Sequence, residues 1–159
     1  MSFAATGRLR LNETGETLGP DLVPSELDRM AVRSLGELRL GVDRSVFSIR
    51  TLVEGRRTFL AATFVGRTPA SIELVLLDGP GRDGVADQNL LKAEHERWLA
   101  EIGLMLAPLP FVLDGRVVQP ASVGDEHPRH CVQPWGEVVS LIDPKNGGAS
   151  VTVRYALNR

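Results

Sequence analysis

The chain has 159 residues, 43% hydrophobic and 24% charged, a length and composition that suit one globular α+β domain with its own core and exclude a disordered chain. Eighteen Lys and Arg stand against 20 Asp and Glu, so the balance lacks the basic excess of a nucleic-acid binder. The single cysteine excludes an intramolecular disulfide framework and suits a reducing compartment.

The N-terminal M-S-F-A-A-T-G-R-L-R-L has neither a basic start nor a long apolar stretch, so no secretory signal is expected. No run approaches the roughly 18 apolar residues that cross a bilayer. A cytoplasmic protein without membrane contact is the expectation.

Gly7–Leu11 alternates as a short strand and gives way to the turn-rich N-E-T-G-E. Ser25 can cap a helix, with Asp28 three residues on and Leu27, Met30 and Ala31 on one side, which predicts a helix from Ser25 to Ser34. Gly36 and Gly41 bracket a loop or edge segment. A meander follows: Val46–Val53, Thr58–Val65 and Ser71–Leu77, joined by links too short for parallel crossovers. The second of these strands carries Phe59, Ala61, Thr63 and Val65 on one side and Leu60, Ala62 and Phe64 on the other. That pattern predicts a central strand in a sheet covered on both faces.

Asp78–Gly84 is a Gly/Asp-rich break. Asp87 then caps the strongest predicted helix, which runs to Ile102 and stops at Gly103. Leu91, Trp98, Leu99, Ile102 and Leu106 approximate its buried stripe, flanked by Glu94 and His95. Pro108 and Pro110 bar continuation, and Phe111–Leu113, Asp114-Gly115 and Arg116–Val118 read as a tight hairpin. A polar loop is expected from Gln119 to Gln133. Trp135–Ile142 and Ala149–Ala156 form a closing hairpin, with Val151, Val153 and Tyr155 on one face. Runs of strands with segregated helices predict a largely antiparallel sheet with one long and one short helix packed on it.

No catalytic signature stands out. Asp125-Glu126-His127-Pro128-Arg129-His130-Cys131 packs metal-binding side chains together, but His-x-x-His-Cys lacks a second ligand pair and adjacent His130 and Cys131 rarely reach one ion. A Cys131 nucleophile with His130 as base would need a defined cleft that nothing here encodes. Glu94, His95 and Glu96 lie about 100° apart on a helix, so they cannot all face one substrate. D-G-P-G-R-D-G lacks the ending and register of a phosphate loop. No metal, cofactor or catalytic residue is expected. Trp98 and Trp135 read as core anchors rather than as a stacking platform.

The helix L-L-K-A-E-H-E-R-W-L and the hairpin P-W-G-E-V-V-S-L-I-D-P-K-N-G-G-A-S-V-T-V-R-Y resemble small bacterial immunity-type proteins of polymorphic-toxin and type VI secretion loci. The resemblance covers Leu90–Leu99 and Trp135–Tyr155 and carries over no catalytic residue. It implies a non-catalytic protein that neutralises a cognate secreted toxin by occluding its active site. A partner surface then needs about 800 Å² and a few anchoring side chains. Asp125, Glu126, His127, Arg129 and His130, in the loop Gln119–Gln133, are the candidate contacts. The near-neutral charge argues against a strongly basic nuclease as that toxin. Rival readings are an effector adaptor or chaperone, a metal- or thiol-dependent enzyme using His127, His130 and Cys131, and a housekeeping domain with a small-molecule pocket.

Overall fold

The computed structural model describes residues 2–78, 85–120, 124, 127–143 and 148–156. Helix α1 (Phe3–Thr6) ends at Gly7, whose φ of 67° is left-handed. It leads into a small ribbon of β1 (Leu9–Arg10) and β2 (Thr17–Leu18). The expected Ser25–Ser34 helix is instead two pieces, α2 (Pro24–Leu27) and a 3-10 turn at Ala31–Ser34. Pro24 takes the first helical position, where a missing N–H costs nothing, so Ser25 is the second helical residue rather than the cap.

The break falls at Met30, whose ψ of 146° is extended. Glu16 supplies the reason. Its carboxylate accepts the N–H groups of Ala31 at 2.7 Å and Val32 at 2.9 Å, capping the second turn from fifteen residues away. Partial burial pushes the Glu16 carboxyl up, but the Val32 and Ala31 amides and the Thr14 hydroxyl outweigh it and hold the group below the usual carboxylate range.

Strands β3 (Glu37–Leu40), β4 (Arg44–Val53), β5 (Arg56–Val65) and β6 (Thr68–Leu76) form the expected meander, with β3 as its edge. Helix α3 (Val85–Glu101) follows, then β7 (Ala107–Pro108), the hairpin β8 (Phe111–Leu113) and β9 (Arg116–Val118), β10 (Arg129–Gln133), β11 (Gly136–Asp143) and β12 (Gly148–Tyr155). The main sheet has eight strands in the order β3-β4-β5-β6-β12-β11-β10-β7. After β6 the chain passes through α3 to the far edge at β7 and returns inward, so β12 closes against β6. All neighbours are antiparallel. The architecture is α+β.

Register decides which side chains are interior. Ile49 lies opposite Leu60, Leu60 opposite Leu74, and Leu74 opposite Val151, so one face carries an apolar row across four strands. Helix α3 covers the β6 and β12 end of this row, burying Leu91, Trp98 and Leu99, with Trp98 only 1% exposed. Its contacts fall on β6, β11 and β12, so it spans the junction of the two halves rather than the meander alone. Ile102 and Leu106, expected in the stripe, are half-buried. Phe3, Leu9, Leu11, Leu18 and Leu27 from the N-terminal segment join the same core.

Trp135 is a clamp as well as an anchor. Its Nε1–H donates to the Ala4 carbonyl at 3.0 Å, and its ring lies 5.3 Å from that of Phe3. A Cβ on Gly7 would sit 2.6 Å from the Trp135 ring, so only glycine lets α1 close onto it. Beside it the Tyr155 hydroxyl donates to the Gly7 carbonyl at 2.9 Å, and burial pushes the Tyr155 phenol well above its usual range.

Among the described residues, the expected covering of both sheet faces is not found. Over the meander, Phe59, Ala61 and Thr63 are half-buried and Val65 is exposed. Strand alternation sets exposed Arg50, Arg57 and Glu73 on the same side, and these charges keep that face open to water. Among the described residues no helix is long and apolar enough to cross a membrane.

Candidate functional site

The stretch expected as a polar loop from Gln119 to Gln133 is part strand. Residues Arg129–Gln133 are β10, paired along their length with β11 and, at Arg129 and His130, with β7. Alternation explains why: Cys131 lies opposite Val138 and packs against the core, while Val132 points outward and is exposed. Asp125 and Glu126 lie outside the described residues.

The remaining candidates do not converge. A ring nitrogen of half-buried His127, Nε2, donates to the Leu109 carbonyl at 2.9 Å. Arg129 donates from Nη2 to the Leu106 carbonyl at 3.1 Å, and its Nε lies 3.9 Å from Glu96. Glu96 in turn accepts from Lys92 Nζ at 2.5 Å. Arg129 is thus a brace linking β10 to α3 rather than a free contact residue. His130 sits on the opposite face of β10 from Arg129 and Cys131, with its Nδ1 buried and without a hydrogen-bond partner among the described residues.

That alternation also separates His130 from Cys131, so the imidazole cannot take the thiol proton across the strand. Cys131 is half-buried, and its Sγ accepts from Gln133 Nε2 at 3.1 Å. Among the described residues no three His, Cys, Asp or Glu are grouped so as to hold a metal ion. The Glu94-His95-Glu96 trio is divided too. His95 is fully buried and its Nε2 accepts the Leu76 N–H at 3.0 Å, which fixes the neutral tautomer with the proton on Nδ1. Glu94 meets Arg56 at 3.6 Å and also pairs with Arg97.

Next to β10 stands the feature with the strongest surface signature. Among the described residues, strands β8 and β9 pair only with each other. Asp114 and Gly115 take φ values of 49° and 74°, the left-handed pair that a two-residue hairpin turn demands. Phe111, Val112, Leu113 and Val117 are 44%, 70%, 58% and 70% exposed. The base is firmly held. Leu109 N–H donates to the Pro128 carbonyl at 2.9 Å, and the Phe111 ring meets His127 edge-on at 6.5 Å. Pro108 and Pro110 restrict the approach.

The expected contact stretch therefore supplies the socket of this hairpin, through His127 and the Pro128 carbonyl. Sequence reasoning located the hairpin but not its exposure. The available signal was F-V-L-D-G-R-V-V, an apolar run without the polar alternation that a half-buried ribbon shows.

A cleft of about 590 Å³ lies at one end of the meander, bounded by Glu13, Arg50, Thr51, Leu52, Arg57 and Leu77. Most of its polar groups are already engaged: Thr51 donates to Glu13 at 3.1 Å and Arg57 pairs with Asp78 at 3.3 Å. It offers no converging set of free donors to a small molecule. No protein-family model matches the chain, and no curated protein or solved structure is significantly similar to it.

Proposed function

We propose that this is a non-catalytic binding protein of the immunity type, which neutralises a cognate secreted toxin in the cytoplasm by occluding its active site. The observation that carries the reading is the β8–β9 hairpin, whose four large apolar residues stand in water on a base hydrogen-bonded at Leu109 to His127 and Pro128. Exposed apolar side chains clustered on one projection favour a protein partner. Occlusion requires only a stable scaffold and a few desolvated anchors, and large apolar side chains can act as such anchors. The separation of His130 from Cys131 across the strand supports binding over thiol chemistry. Neither nucleic acid nor membrane is proposed as a partner.

The test is to seek a secreted-effector gene beside the one for this chain and to co-express the two. Immunity predicts relief of toxicity, a stoichiometric complex and no turnover by the isolated protein. A complex that leaves the toxin active would make the protein an adaptor. Relief that requires only catalytic amounts would make it an enzyme.

A further inference from the structure

Resting on that reading, we infer that the β8–β9 hairpin works by insertion: it enters a cleft with apolar walls and a polar floor, such as an enzyme's active site, rather than lying flat on a partner. The register separates its side chains cleanly. Val112 lies opposite Val117 on one face, and Phe111 lies opposite Val118 on the other, where Leu113 faces Arg116. Both faces expose large apolar groups, so docking one of them would leave the other in water.

Area points the same way. Val112 and Val117 together offer on the order of 200 Å², against the roughly 800 Å² per partner of a stable interface. Flat pairing of two copies of this chain through that face falls well short. Insertion buries both faces, both edges and the tip, and multiplies the area roughly several-fold towards the range that stable complexes use.

Charge placement specifies the cleft. The hairpin's ionic groups are Asp114 and Arg116, both at the tip, and neither makes an ion pair among the described residues. An apolar shaft with a zwitterionic tip is complementary to apolar walls above a polar floor. Small-molecule sites are built that way, largely apolar with a few converging polar groups. Inhibition by such a plug is competitive with substrate. A carboxylate at the cleft floor would meet the Arg116 guanidinium.

The experiment uses the full chain and the neighbouring effector. One variant, Val112→Glu with Val117→Glu, puts charge on the first face, and a second, Leu113→Glu, on the other. A photo-crosslinking side chain is placed in turn at positions 112 and 113. Insertion predicts that each variant weakens the complex by about 30-fold or more, with melting temperatures unchanged because the hairpin lies off the core. Both probes should crosslink to the effector, and effector substrate should compete with the complex. Loss from only one face, a crosslink to a second copy of this chain, or binding indifferent to substrate overturns insertion. If both variants still bind and protect, insertion fails while the immunity reading stands. If the unmodified chain neither binds nor protects, the reading itself fails, and insertion with it.

Discussion

The molecule contains two hairpins with the same turn chemistry and opposite fates. Glu54-Gly55 joins β4 to β5 with φ values of 46° and 81°, and Asp114-Gly115 joins β8 to β9 with 49° and 74°. The first carries ten-residue strands, and in β4 Phe47, Ile49, Thr51 and Val53 are buried while the residues between them are not. Its turn is also stitched down: Gly55 N–H donates to Asn12 Oδ1 at 2.9 Å, and Glu54 N–H to the Arg10 carbonyl at 3.1 Å. The second has three-residue strands, no alternation, and no neighbour strand among the described residues. The turn closes a hairpin in either setting, but alternation and strand length decide whether it becomes core. A short isolated ribbon is marginal in water, and on the proposed reading its apolar faces serve a partner rather than the core.

Core truncation should separate the two regions most widely. Trp98→Ala should cost about 3–5 kcal/mol in denaturant unfolding, since Trp98 is 1% exposed on α3, which packs on β6, β11 and β12. Val112→Ser should stay within about 0.5 kcal/mol. An equal loss in both would mean that the hairpin is part of the folding unit.

Turn glycines should show a smaller contrast. No atom lies within 4 Å of a Cβ built on Gly55 or Gly115, so Gly→Ala at either site costs only the left-handed conformation, roughly 1–2 kcal/mol. Gly55→Ala should lower global stability by that amount. Gly115→Ala should leave it unchanged and only speed amide exchange within residues 111–118.

The smallest expected effect concerns the N-terminal segment that holds the first hairpin's turn. Glu16→Gln should cost about 1 kcal/mol at neutral pH, the usual worth of a lost helix cap. Because Glu16 titrates below its ordinary range, its contribution is complete above the unfolded carboxylate range and fades as pH falls through the folded value. The difference between wild type and variant in denaturant midpoint should therefore narrow on acidification.

Much of the fold was legible because period-2 alternation and short links leave few choices: β4, β5, β6 and the closing hairpin all follow from them. The pairing of β12 with β6 was not, since nothing local encodes which distant strands meet. The Ser25–Ser34 helix misled because its pattern ignores Glu16, a cap that arrives through tertiary contact. Strand β10 was hidden by its composition, as Arg129-His130-Cys131-Val132-Gln133 has polar residues on both faces. At the candidate site, residue types suggested chemistry at His127, His130 and Cys131 that strand geometry divides. His95 reads as a helix flank, yet it is fully buried and takes the Leu76 N–H, and Lys92, about which the sequence pattern is silent, is buried beside Glu96.

The most direct measurement replaces Phe111–Val118 with a short Gly-rich link and follows both thermal unfolding and protection against the neighbouring effector. The account predicts an unchanged melting temperature, because the ribbon lies outside the core, together with complete loss of protection. Full protection by the shortened chain would contradict it.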